Sequence, residues 1–342
     1  MKTLLRVAAL GLSCLALPAQ SAPLTALDTL QQFNLITSGD VQSYSHVDGR
    51  SFIGGSLTGG DFMLRGSGVP ASAHAGLTVV GDAHNIRVNG GGVAVGGNLS
   101  AGNINQGAAY VGGNAQHSNF NGGPAYIGGE VVSSNLNGGR TDTPPFALPS
   151  AFDPSSVMRD LAGQLSRLDD TGGRIDLTHG KATFHASAAT NGVAVFDLGS
   201  NSTLFSLNEF AFDLGDADLV IFNVGGAEFD FGINFLGGSA HSIAQRVIWN
   251  FYEADAIRIE REFGGTVLAP FAHLTHFNNI EGSVAVHSLL QYGEIHLQPI
   301  NAPHLPDPST ELRVPEPTAG ALLGLALLLG GIASRRHLRL HR

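Results

Sequence analysis

Four groupings in this 342-residue sequence have residue types and spacing that invite chemistry. Asp213, Asp216 and Asp218 form its densest acidic group, a composition that attracts calcium. Their spacing lacks the glycine and distal glutamate of a helix–loop–helix calcium loop, so the segment reads as a solvated turn. Gly225-Gly226 with Asp230 matches only part of a calcium-binding nonapeptide. His273 and His276 stand three apart with no third ligand in view. Glu294 and His296, two apart in a strand-like stretch, project from one face, yet the sequence offers them no partner. Nucleophilic chemistry finds less. Cys14 is the only cysteine, Lys181 is the one lysine after Lys2, and no nucleophile elbow, phosphate loop or zinc signature occurs. The expectation is a non-enzyme with no catalytic residue, no metal site and no cofactor.

The elements that hold these residues begin with an export signal. Lys2 and Arg6 precede an apolar run from Val7 to Leu17, and small residues cluster at Ala19, Ser21 and Ala22. That order is a secretory signal peptide, too short to span a bilayer, with cleavage placed after Ser21. At the other end Val314, Pro315, Glu316 and Pro317 precede an apolar stretch from Ala319 to Ala333, then Arg335, Arg336, Arg339 and Arg342. This order resembles the PEP-CTERM sorting signal of Gram-negative bacteria, in which an exosortase removes the tail. The arginines would stay cytoplasmic while the apolar run holds the chain transiently in the inner membrane. The implied partners are the secretion translocon and an exosortase.

Without Lys2, Arg6 and the four arginines of the tail, twelve basic residues stand against twenty-eight acidic ones, a charge of about −16. Such a surface repels nucleic acid, so DNA or RNA is not an expected partner. Without a cysteine the exported part has no disulfide, and packing with backbone hydrogen bonds must hold it together.

Periodicity supplies the architecture. Residues 77–140 contain four consecutive sixteen-residue units. Val79, Val95, Val111 and Ile127 fall at one phase, and Gly81, Gly97, Gly113 and Gly129 two places later. Asp82, Asn98, Asn114 and Glu130 follow; further on come Val88, Ile104, Phe120 and Leu136, each with an asparagine behind it. Sixteen residues suit one coil of a parallel β-solenoid, with apolar columns inside and asparagine ladders between rungs. Glycine at the corners is expected to supply positive φ. Thr78, Ala94, Tyr110 and Tyr126 then form an outward column; Tyr110 and Tyr126 are the candidate surface-binding residues, although packing of one ring on the next across rungs is the reading preferred for them.

After a Pro-rich connector, Asp153-Pro154 reads as N-cap and first turn of a helix, with an apolar stripe of Val157, Leu161, Leu165 and Leu168. It should flank or cap the solenoid. Strands resume at 175–177, 193–196, 219–222 and 247–251, with no assignable period. The fold class is therefore mostly β: a discontinuous parallel solenoid with sixteen-residue rungs in its first half and one flanking helix. The divisions are a signal peptide (1–21), a first solenoid part (22–140), connector and helix (141–172), a second β part of the same domain (173–302), a linker (303–313) and the sorting signal (314–342).

Phe33-Asn34-Leu35-Ile36, Gly39-Asp40, Asp48-Gly49-Arg50 and Ile53-Gly54-Gly55 resemble the opening of the choice-of-anchor A domain. Trp249-Asn250-Phe251, Gly265 to Pro270, Gly282 to Val286 and Gly293 to His296 resemble its close; Phe271 departs from the small polar residue expected after Pro270. The resemblance covers about residues 25–300 and implies a bacterial surface adhesin, with no catalytic residues to carry across. The functional expectation is a non-catalytic adhesin or structural component of a biofilm or exopolysaccharide matrix, with surface glycans as partners. A polysaccharide-active β-helix enzyme and an ice-binding-like protein are the alternatives; the column Thr78, Ala94, Tyr110, Tyr126 is poor in the threonine that flat ice-binding arrays use.

Overall fold

The computed structural model describes residues 24–65, 68–200 and 202–306; the expected signal peptide, and Val314 to Pro317 with Arg335 and Arg336, lie outside the described residues. Among the described residues no helix is long and apolar enough to cross a membrane.

One rung shows how the repeat folds. Val93–Val95, Leu99–Ser100 and Asn103–Ile104 are short strands on three successive faces. Each pairs in parallel, at an offset of sixteen, with the rungs before and after: Val93 lies opposite Leu77 and Ala109, and Ile104 opposite Val88 and Phe120. Val95, Leu99 and Ile104 point inward and are fully buried. The columns above and below them make one continuous apolar core, which is the main stabilising term for such a stack.

The asparagine ladders form. Asn105 Nδ2 donates to Asn89 Oδ1 (2.9 Å) and Asn137 to Asn121 (2.8 Å), while a second column links Asn103, Asn119 and Asn135. At the corner between the first and second faces the ladder is of another kind. The backbone N–H of Asn98 donates to Asp82 Oδ1, that of Asn114 to Asn98 Oδ1, and that of Glu130 to Asn114 Oδ1.

This ladder corrects the role expected for one set of corner glycines. Gly81, Gly97, Gly113 and Gly129 do not have positive φ; it occurs at Asn85, Ala101, His117 and Ser133, and, as expected, at the unit-closing glycines Gly91, Gly107 and Gly139. A Cβ on Gly97 would lie 2.2 Å from Asp82 Oδ1 and 2.9 Å from Gly81 O. Close approach of adjacent rungs around the acceptor ladder, rather than backbone handedness, requires glycine there.

The chain does not continue the stack from the rung that ends at Leu136. The helix expected at Asp153 forms over Pro154–Leu165, with Asp153 accepting from Ser155 N. Met158, Leu161, Ala162 and Leu165 pack on outward side chains of the first face, among them Ile36, Ile221, Ile248 and Leu268. Met158 takes the inner place expected for Val157, which is half-buried. A seven-residue helix, Ala26–Gln32, packs into the same apolar cluster and was not anticipated. Asn223 donates to Leu165 O (2.7 Å) and Asn250 to Ala162 O (3.0 Å), tying the last turn of the flanking helix to strands of the second half.

Beyond the helix, stacking resumes at Val193–Gly199 and proceeds through Leu219–Val224, Val247–Phe251 and Thr266–His276 to Val284–Gln291. This second half is filled by rings including Phe184, Phe222, Phe251 and Trp249, whose Nε1 donates to Gly264 O. It ends on the beginning of the first half. Leu35–Thr37 pairs in parallel with Ser51–Ile53 on one side and with Val284–Val286 on the other.

Gly97→Ala is predicted to cost about 1–3 kcal/mol, the usual range for overpacking. Ala101→Gly, at φ +53, should be neutral or mildly stabilising. Urea denaturation midpoints check both; the reverse order would mean that handedness is the requirement at Gly97.

Candidate functional site

The outward residues of the first face are largely covered, and this settles where Tyr110 and Tyr126 lie. Their rings stack at 5.4 Å with an interplanar angle of 3°. Tyr110 is only 7% exposed and packs with Ala75, Ala94 and Phe146 of the connector. The column expected to face solvent is roofed at Tyr110, and Tyr126 is half-buried.

The second face is the open one. Gln42, Thr58, His84, Gln116 and Val132 present exposed side chains along its first half, and Glu228, Asp230, Arg258 and His273 along its second. Where the halves meet, a shallow groove of about 650 Å³ is lined by residues including Asp40, Gln42, Thr58, His273, His287 and Leu290. Asp40 is the one carboxylate of that lining, and its Oδ1 already accepts from Ser56 N at 2.7 Å.

At the corner between the second and third faces stands an exposed aromatic ladder. Tyr44 N donates to Gln291 O and Tyr292 N to His276 O, which places Tyr44, Tyr292 and Phe277 on consecutive rungs. Their rings stack at 5.1 and 5.0 Å, within 11° and 6° of parallel. The Arg258 guanidinium, held by Glu260, lies 4.4 Å from the Phe277 centroid and ends the ladder by a cation–π contact. Tyr44, Tyr292 and Phe277 are 62%, 45% and 42% exposed, unusual for rings of this size. The Gln42 side-chain amide bonds the Tyr44 hydroxyl.

Beside the ladder, at the start of the third face, the structure supplies the partners that Glu294 and His296 lacked in the sequence. Val47 pairs with Ile295, so His46 and Asp48 of the first rung flank Glu294 and His296 of the last. His46 Nε2 lies 3.5 Å from Glu294 Oε2, and His296 Nε2 lies 2.7 Å from the same oxygen. His296 Nδ1 lies 2.5 Å from Glu281 Oε1. Burial alone would lower the His296 pKa, but hydrogen bonds to Glu294 and Glu281, with the charges of Glu281 and Asp48, raise it above its ordinary value. The Glu294 carboxyl is lowered chiefly by its bond to His296.

The other groupings stay apart. Asp213 is lowered chiefly by its hydrogen bond to His185, and this pair joins Asp176 and Arg174 in a surface network. Gly226 N donates to Glu253, while Asp230 lies on the second face. His273 is exposed there with its Nδ1 2.8 Å from Ser288 Oγ. His276 is fully buried under the ladder.

A model of the family described as "Putative Ice-binding-like adhesive domain" matches residues 26–297, about four-fifths of the chain. No curated protein and no solved structure matches it.

His276 sets an acid limit on this corner. Burial holds its pKa down to about 4, from 6.5, against a hydrogen bond between its Nδ1 and Asn278 O that works in the other direction. The folded state therefore binds fewer protons than the unfolded one between those values. The contribution is complete above pH 6.5 and is lost as pH falls toward 4; it amounts to roughly 3 kcal/mol. Urea unfolding at pH 7.5 and 4.5 should show His276→Gln losing markedly less stability on acidification than the wild type.

Proposed function

The chain belongs to this family of ice-binding-like adhesive domains, and from that premise we propose that it is a non-catalytic surface adhesin whose aromatic corner binds glycans. The exposed ladder of Tyr44, Tyr292 and Phe277 is the observation that carries this reading. A pyranose ring has an apolar C–H face and a polar rim. The exposed ring of Tyr44 offers the first a planar apolar surface, and the phenol hydroxyls with Gln42 offer the second hydrogen bonds. The rings are held by backbone pairing and by each other, so little side-chain freedom is lost when a sugar docks. The neighbouring groove extends the contact along the second face, enough for several sugar units.

The family description also names ice, and a flat parallel face with a regular rung spacing favours that second reading. The side chains on this face argue against it. Its outward column runs Gln116, Ser100, His84, Thr58, Gln42, Leu290, Thr275, Arg258, Asp230. Two threonines among charged and bulky groups do not make an ordered threonine array.

In this proposal the chain reaches the surface through the translocon, is held by the apolar stretch after Val314, Pro315, Glu316 and Pro317 with Arg335 and Arg336 inside, and is released or attached by an exosortase into an exopolysaccharide matrix. Intact-mass analysis of the protein from its host should give a chain that starts near Ala22 and ends near Pro315–Pro317; retention of Ala319 to Arg342 would remove the sorting step.

Binding to extracellular polysaccharide by co-sedimentation is expected for the wild type. Tyr44→Ala and Tyr292→Ala should each weaken it about ten-fold, the effect of losing roughly 1–2 kcal/mol of ring contact. Inhibition of ice recrystallisation, with no polysaccharide binding, would replace the glycan reading by the ice one.

A further inference from the structure

The cluster beside the aromatic ladder is built from two adjacent parallel strands. His46 and Asp48 stand two apart on the first rung, Glu294 and His296 two apart on the last, and the Val47–Ile295 pairing sets the four side chains as the corners of a square. The ligating atoms of His46, Glu294 and His296 all lie within 4.8 Å of one another. Donors around a tetrahedral zinc ion, with bonds of about 2.0–2.1 Å, sit roughly 3.3 Å apart. The distance from His46 Nε2 to Glu294 Oε2, 3.5 Å, is near that value; the 2.7 Å contact between His296 and Glu294 is a hydrogen bond that would open slightly as its proton gave way to an ion.

Two further observations point to a ligand rather than to a self-sufficient ion-pair cluster. Asp48 is 1% exposed, and its Oδ1 has no hydrogen-bond partner. That oxygen lies 3.6 Å from His46 Nε2, while Oδ2 already takes Leu297 N and faces Arg65. A buried carboxylate oxygen left without a donor is costly, and this one lies beside His46 at the edge of the cluster. Glu281, itself buried, holds His296 Nδ1. This is the carboxylate–histidine arrangement that fixes an imidazole so that Nε2 can face a metal. The side chains of His46, Glu294 and His296 are 20%, 41% and 21% exposed, which leaves an entry path from solvent.

We propose that His46, Asp48, Glu294 and His296 form a binding site for a divalent transition-metal ion of the zinc class. Two imidazoles with carboxylates select such an ion over calcium or magnesium, which prefer all-oxygen shells. Two ligands come from the first rung and two from the last, so the ion fastens the place where the solenoid closes on itself. The proposal does not depend on what the aromatic corner binds.

The test is calorimetric titration of the untagged, EDTA-stripped protein with zinc chloride at pH 7.5, paired with thermal melts. One zinc ion per chain and a higher melting temperature are expected, without response to calcium or magnesium. His46→Gln and Glu294→Gln should each weaken zinc binding by about ten-fold or more, and circular dichroism reports whether each variant is folded. His117→Asn, at an exposed histidine far along the first half, should bind as the wild type does. Absence of binding at micromolar zinc by the folded protein, equal binding by both site variants, or preference for calcium would each overturn the assignment.

Discussion

Parallel pairing on both sides of the first rung holds this molecule together as a single body, and the first face shows it. Leu35–Thr37 receives Ser51–Ile53 on one edge and Val284–Val286 on the other. If the second pairing were absent, the first half would be a stack with an open edge at its first rung, and the second half would lack a base. A parallel ladder exposes unpaired N–H and C=O groups at each end; here two such ends cover one another. The flanking helix makes that closure sterically possible by carrying the chain along the first face between the halves. Its buried side contacts outward residues from both, Ile36 on one and Ile221, Ile248 and Leu268 on the other.

The same seam assembles the surface that matters for function. Tyr44 belongs to the first rung, Tyr292 to the last and Phe277 to the one before it. Their stacking follows from backbone pairing rather than from local sequence. The groove with Gln42 on one wall and Leu290 on the other, and the His46–Glu294 contact, cross the same line. The first face, by contrast, is largely given to packing: its outward apolar positions lie under the helix or, at Tyr110, under Phe146. Exposed binding chemistry is thereby concentrated on the second face and its far corner.

How much of this the sequence revealed depends on whether neighbours in space were also neighbours in period. Between residues 77 and 140 every rung has the same length, so spatial columns appear as repeats at sixteen; the columns through Val95, Ile104 and Asn105 form as read. In the second half successive rungs pair at offsets that vary, as from Val193 to Leu219 and from Val267 to Val284. Short helices and a hairpin inserted at different corners destroy any fixed period there. The helix at Asp153 was legible because its cap and apolar stripe are local. The aromatic site was not. Tyr110 and Tyr126 drew attention by their periodicity, whereas Tyr44, Phe277 and Tyr292 carry no sequence signal until the seam places them together. An exposed-aromatic tally along the chain would still not have paired them.

The closure of first rung on last is therefore the claim on which the adhesive corner depends, and the chain allows a direct test. Its only cysteine is Cys14, so a protein starting at Ala22 has none. Introducing cysteine at both Tyr44 and Tyr292 and oxidising under dilute conditions should give a near-complete intramolecular disulfide, seen by mass spectrometry, with the native circular dichroism spectrum retained. Free thiols, or cross-links only between molecules, would contradict the closed solenoid and the binding corner built on it.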